Sequence, residues 1–305
     1  MSTRDGRARA PTKRLDARPF WEATDDEPLA QTAEVGDAPL VPTRFDGLVV
    51  GEVLGEGATA IVYAATDTAG RALALKVLLG NGDGWEALSG EARAMAAVRH
   101  PAIPRVERVT ALPSGRPCLV MEQVDGRPLD EVLHREGPLP WSRVKALLGA
   151  LLDALAALHA RGLVHRDVKP GNLLVRPAPP GLALVDFGIA RPLRGGRVDP
   201  TTAHVVRGTL EYMSPEQLAG GSLDARSDLF SAGVVAFEAV TGAQPWPGAG
   251  ATLTERRQAM GQRAAPARPR QVPAADFAVL AQLLALDPRA RPASAAEALE
   301  RLTAR

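Results

Sequence analysis

The sequence predicts an α+β chain in two lobes, a small one with a five-strand sheet and one helix, then a larger, mainly helical one. Three observations carry this reading. The 305 residues exceed what one hydrophobic core usually serves. Between Phe45 and Met121, short runs rich in Val, Ile, Leu and Ala alternate with turn residues. After Asp125-Gly126 the apolar residues recur at helical spacing instead.

Residues 1–43 read as a flexible leader, basic over 4–18 and acidic over 22–37, with five prolines spread through it. A solvated tail explains the charge, while Phe20-Trp21 leaves room for a docking arm. Strands are expected at 47–54, 59–66, 72–78, 106–111 and 118–121, with turns at 67–70 and 113–115. The run 85–98 places Leu88, Ala92, Met95 and Val98 on one helical face, and Arg99-His100-Pro101 ends it. The first lobe therefore covers 44–123 and the second 124–305. Helices are expected there at 141–160, 224–241, 276–286 and 294–302. A loop from about 186 to 216 is long enough to suggest function.

The composition is that of a globular protein, 46% hydrophobic and 23% charged. Basic and acidic residues nearly cancel, 36 against 35, so no nucleic-acid or membrane-surface partner is expected. Cys118 is the single cysteine and cannot close an intrachain disulfide, which fits a reducing compartment. The longest apolar run, 144–158, carries Lys145 and Asp153, so no membrane insertion is expected. The N-terminal arginines have no apolar stretch behind them, unlike a secretory signal, and a cytoplasmic location follows. Lysine occurs only at 13, 76, 145 and 169, and asparagine only at 81 and 172. Wherever either sits in a motif, general surface composition explains it poorly.

Four runs have chemical content. Gly55-Glu56-Gly57-Ala58-Thr59-Ala60-Ile61-Val62 lies between two expected strands, where glycines let a hairpin approach phosphate oxygens; such hairpins also serve as plain turns. Lys76 ends the apolar run 72–76, and Glu91 on the following helix is its natural partner, the alternative being a strand-end lysine reaching solvent. His165-Arg166-Asp167-Val168-Lys169-Pro170-Gly171-Asn172 is the sharpest. It sets a carboxylate, an ammonium two residues on and an amide five residues on in one tight loop. Phosphoryl transfer needs these groups: one to orient a hydroxyl, one to neutralise phosphate charge, one to hold a metal. Asp186-Phe187-Gly188 follows a short apolar strand and offers a carboxylate suited to Mg²⁺, or simply a turn.

With these runs in order, the chain from about Arg44 onward resembles the eukaryotic-like (Hanks-type) bacterial Ser/Thr protein kinases. Met121-Glu122-Gln123-Val124 is similar to their hinge. Gly208-Thr209-Leu210-Glu211-Tyr212-Met213-Ser214-Pro215-Glu216 is similar to the end of their activation segment. Asp228 resembles the buried Asp that braces the catalytic loop, and Arg291 the partner of Glu216. The resemblance implies the bilobal protein-kinase fold, with a five-stranded antiparallel N-lobe sheet, helix C and a mainly helical C-lobe. It implies ATP and Mg²⁺ as cofactors, with Mn²⁺ as a substitute, and Ser/Thr acceptors on protein substrates. Lys76 would hold the α- and β-phosphates and pair with Glu91. Asp167 would orient the substrate hydroxyl, and Lys169 would neutralise the γ-phosphate. Asn172 and Asp186 would hold the metal, while Val62, Ala74 and Leu174 would sandwich adenine. Gly55 and Gly57 would cover the phosphates, with Glu122 and Val124 at the hinge. Ala60 replaces the third glycine of the loop, for which a modest loss of nucleotide affinity is expected.

Arg166, a fixed charge beside Asp167, suggests a loop ordered by phosphate. Thr201 and Thr202 are the candidate autophosphorylation sites, and a homodimer would allow the transfer in trans; Thr209 belongs to the substrate site. Two other readings share the fold: a pseudokinase scaffold without turnover, and a small-molecule kinase. The intact phosphate- and hydroxyl-handling residues count against the first, and the 208–216 segment against the second.

Overall fold

A computed structural model describes residues 41–57, 60–79, 84–187, 191–192, 210–246, 253–262 and 265–304. The chain first builds an antiparallel sheet from β1 (Arg44–Phe45), β2 (Leu48–Glu56), β3 (Ala60–Asp67), β4 (Ala72–Leu78), β5 (Val106–Ala111) and β6 (Pro117–Glu122). The spatial order is β1-β2-β3-β4-β6-β5, six strands where the sequence suggested five. The extra one is β1, two residues that pair with β2 through Arg44–Val49 and Phe45–Leu48. So short a strand has no alternation to detect.

The two faces of this sheet bury different sets. Leu48, Ala65, Leu73, Leu75, Val77, Cys118 and Val120 form one apolar cluster, against which Val41 and Phe45 pack. Cys118 sits inside it, and burial pushes its thiol up to about 12, so the sulfur is held as an inert thiol. The opposite face, with Ala74, Leu119 and Met121, packs on Leu88, Ala92 and Met95 of α1 (Gly84–Ala96) and belongs to the main core. Period-two alternation along β4 and β6 thus serves two cores at once.

After the hinge the character is helical, as expected. β7 (Arg127–Pro128), α2 (Leu129–Glu136) and α3 (Trp141–His159) come first. Then follow β8 (Leu163–Val164), β9 (Leu173–Val175), β10 (Leu182–Leu184) and β11 (Arg191–Pro192). β10, β9 and β7 form one small sheet, and β11 pairs with β8. α4 (Pro215–Leu218), α5 (Ala225–Thr241), α6 (Leu253–Gln262), α7 (Ala274–Leu283) and α8 (Ala295–Thr303) complete the described elements. The helices expected at 85–98 and 276–286 stop earlier, at Ala96 and Leu283.

α5 is the helix around which the second lobe is packed. Thirteen of its seventeen residues are buried, including Asp228 and Ser231. Such a helix is apolar all round because it has neighbours all round. Gly233 lets α7 come close: a Cβ there would lie 2.9 Å from the Leu283 Cβ. Asp224 caps its start by accepting from the Arg226 N–H, and Gly242, at φ 74°, ends it in the left-handed region.

Candidate active site

The hydrophobic strand β4 delivers Lys76, and α1 delivers Glu91, to the cleft between sheet and helices. Lys76 is 6% exposed and Glu91 3%, so neither charge could stand alone. The Lys76 Nζ donates to both Glu91 oxygens, at 2.7 and 2.8 Å, and to the Asp186 Oδ1 at 2.7 Å. Burial works against the ammonium, but Glu91 and Asp186 outweigh it and hold its pKa above the ordinary lysine value. Burial pushes Glu91 up, with Lys76 pulling the other way. Burial also opposes charge on Asp186, yet Lys76 and then Lys169 keep it below the usual carboxylate range. The Phe187 N–H donates to the Glu91 Oε1 at 3.2 Å, so one carboxylate ties α1 to both the strand lysine and the 186–187 turn.

The loop after β8 brings Asp167, Lys169 and Asn172 together. The Lys169 Nζ donates to the Asp167 Oδ2 at 2.8 Å. The Asn172 amide donates to the same oxygen at 3.0 Å and to the Asp167 carbonyl at 2.9 Å. The other carboxylate oxygen, Asp167 Oδ1, is buried and accepts no hydrogen bond among the described residues. A buried acceptor in that condition is costly unless something donates to it.

Main-chain anchors hold this loop still. Asp228 on α5 accepts from the backbone N–H of His165 at 2.8 Å and of Arg166 at 2.7 Å, and lies 2.8 Å from His159 Nε2. Burial would raise its pKa, but His159 and the amides hold it below the ordinary value. Gln217 Nε2 donates to the Arg166 carbonyl at 2.9 Å. Arg166 and Asp186 both take left-handed backbone, φ 70° and 65°. Non-glycine residues hold that conformation only where surrounding bonds over-determine it. The His165 and Phe187 rings meet edge to face, 4.8 Å between centroids, joining the two strained turns.

On the other side of the cleft β3, β4, the 121–124 segment and β9 come together. Val62 pairs in register with Lys76, and Ala74 with Met121. Gly55 lies opposite Val62, and the Gly57 N–H donates to the Ala60 carbonyl at 2.9 Å, closing the hairpin. The Glu122 N–H is used by the Arg105 carbonyl, at 2.8 Å, while the Val124 N–H makes no backbone hydrogen bond among the described residues. Gly126 brings the hinge down on β9: a Cβ there would meet the Val175 carbonyl at 3.0 Å and the Leu174 Cβ at 3.1 Å.

Among the described residues no three of His, Cys, Asp and Glu cluster as an all-protein metal cage. Asp186 and Asn172 are joined through the Val185 N–H, which donates to the Asn172 carbonyl at 3.0 Å. Two oxygen-bearing side chains fit a hard divalent ion that draws its other ligands from phosphates and water. Thr201, Thr202 and Thr209 lie outside the described residues. Glu216 does meet Arg291, through two bonds of 2.7 and 2.9 Å.

Several functional neighbours had gone unnoticed in the sequence. Gln217 carries a readable signal, since Ser214-Pro215-Glu216-Gln217 is a capping box, and both reciprocal bonds are present. His159, Ser231 and Arg256 carry none, because their partners lie far away along the chain.

Residues 48–302 match the family model described as protein kinase domain. The serine/threonine-protein kinase PknB of Mycobacterium tuberculosis is 35% identical over 261 residues, covering 83% of this chain and 42% of that protein. The kinase pkn2 of Myxococcus xanthus is 42% identical over 64% of this chain and 24% of its own length. PknL of M. tuberculosis is 37% identical over 72% of this chain and 54% of its own. This chain therefore corresponds to between a quarter and about half of each of those relatives.

Proposed function

Because the chain belongs to the protein kinase domain family, we propose that it transfers the γ-phosphoryl group of Mg·ATP to Ser and Thr hydroxyls of proteins. The observation that carries this reading is the convergence of Lys169 and Asn172 on one Asp167 oxygen, with Lys76 joined to Asp186 across the same cleft. Asp167 would orient the acceptor hydroxyl and accept its proton. Lys169, next to it, would face the negative charge of the γ-phosphate, and Lys76 the α- and β-phosphates. Asn172 and Asp186 would hold Mg²⁺, or Mn²⁺ in its place. The ion, when bound, offsets the charge shared by the β- and γ-phosphate oxygens. Val62, Ala74 and Leu174 would enclose adenine, with the hinge at Glu122 and Val124 supplying its polar contacts, and Gly55 and Gly57 would cover the phosphates.

The same reading divides the chain into a leader over 1–43, a nucleotide lobe over 44–123 and an acceptor lobe over 124–305. Among the described residues no helix is long and apolar enough to cross a membrane. A cytoplasmic site of action and protein partners fit this reading, with no role for nucleic acid. Control would act through phosphate on Thr201 or Thr202, paired with Arg166 and placed there in trans within a homodimer. Thr209 would serve the acceptor side.

The test compares wild type with Asp186→Asn, each incubated with Mg·ATP and a generic protein substrate, by intact and peptide mass spectrometry. Phosphoryl groups are expected on substrate Ser or Thr, and on Thr201 or Thr202, with wild type only. Gain with both proteins or with neither overturns the proposal, and phosphorylation of small metabolites alone would replace it.

A further inference from the structure

The short helical turn Leu210–Tyr212 stands beside the catalytic loop, and among the described residues none of the side chains that grip it belongs to that loop. α5 grips it twice. The Ser231 hydroxyl donates to the Tyr212 carbonyl at 2.7 Å, and the Tyr212 hydroxyl donates to Glu238 at 2.7 Å. The third grip comes from α6. The Arg256 Nη2 donates to the Glu211 carbonyl at 2.5 Å while its Nη1 donates to the Trp246 carbonyl at 3.2 Å.

Arg256 is only 2% exposed, so its charge has been taken out of water to make these bonds. A guanidinium presents a rigid fork of donors that spans carbonyls from two separate chain segments, a geometry that a lysine ammonium, one nitrogen on a flexible stem, does not reproduce. Neighbouring Met260 is 1% exposed and seats α6 in the main core, so Arg256 extends from a fixed base.

What this turn faces gives the grip a purpose. An open cavity of about 350 Å³ is lined by Pro170 of the catalytic loop, by Asp130, Leu133 and His134 of α2, and by Tyr212. Pro170 is three residues past Asp167, so the Tyr212 wall lies within reach of a polypeptide whose hydroxyl is at Asp167. We infer that Arg256 is a positioning residue for the acceptor polypeptide: by fixing the Glu211 carbonyl it sets where residues 210–213 stand against the catalytic loop. This inference rests on the phosphotransferase reading above and names the residue that aligns its second substrate. The nucleotide side, built on β3, β4 and the hinge, shares none of these bonds.

The test uses the full chain as Arg256→Met and Arg256→Lys. With Mg·ATP and a Ser-containing peptide, the peptide KM should rise about tenfold in Arg256→Met while the ATP KM stays within about twofold, because misalignment touches one substrate only. Arg256→Lys should fall between, keeping the charge but losing the fork. Amide hydrogen exchange should quicken at 211–214 in Arg256→Met and stay unchanged in β4 and α1. An unchanged peptide KM, a parallel rise in both KM values, or unaltered exchange at 211–214 overturns the inference. If the wild type phosphorylates no peptide or protein, the phosphotransferase reading fails instead, and exchange at 211–214 still decides for or against Arg256.

Discussion

Replacing Lys76 with Met would take the cation from between Glu91 and Asp186 and leave the buried Glu91 carboxylate facing the half-exposed one of Asp186. Turnover should fall by about a hundredfold or more, measured as kcat with Mg·ATP, because a charge aimed at the phosphates is lost. Stability should fall as well, since one partner of a buried pair is stranded, at a cost of about 3–5 kcal/mol near neutral pH. The cost should depend on pH with a definite sign. Burial already raises the Glu91 pKa with Lys76 present, and without Lys76 it must rise further. A carboxyl with a folded pKa above its unfolded value binds its proton more tightly when folded, so the fold loses stability as pH rises between the two. The Tm deficit of Lys76→Met should therefore be smaller at pH 5 than at pH 8; an equal deficit would show that Glu91 finds another partner. Lys76 and Asn172 were legible in the sequence because both residue types are scarce in this chain. Arg256 was not, because arginine supplies almost all the positive charge and a buried one looks like any other.

The elements divide in a similar way. Helices with an amphipathic stripe, such as α3, announce themselves through period and length, while α5 shows only apolarity because its neighbours surround it. How closely α7 approaches α5 is set at a single glycine. Substituting Gly233 by Ala would set a methyl 2.9 Å from the Leu283 Cβ and 3.3 Å from the Leu283 carbonyl carbon. Either α7 shifts or the fold is strained, at about 1–3 kcal/mol. Urea denaturation should show a lower midpoint with an unchanged slope. A midpoint equal to wild type would mean that α7 moves at no cost. Strand β1 marks the limit of sequence reading at this scale, since two residues hold no pattern, and the ladder to β2 alone defines them.

At the scale of the whole molecule, the cleft joins two bodies that share few covalent links but many charges. β4 and α1 supply Lys76 and Glu91 from one side, while the 165–172 loop and the 186–187 turn supply the rest from the other. A ligand that meets both sides stabilises the native state by mass action. At a hundred times its Kd, Mg·ATP analogue should add about 2.7 kcal/mol, seen as a Tm several degrees higher. The same addition to Asp186→Asn should shift Tm less, and equal shifts would remove Asp186 from the binding site. The order of the lobes and the four chemical runs could be read from the chain alone. Their meeting could not, because it depends on contacts such as Lys76 with Asp186, 110 positions apart.

Asp228 grasps the peptide N–H groups of residues 165 and 166 rather than anything that distinguishes their side chains. Every amino acid except proline carries such a group. The brace itself is therefore blind to which side chains those two positions display. Proline is barred at either place, and α5 carries the cost of keeping one anion in its driest stretch.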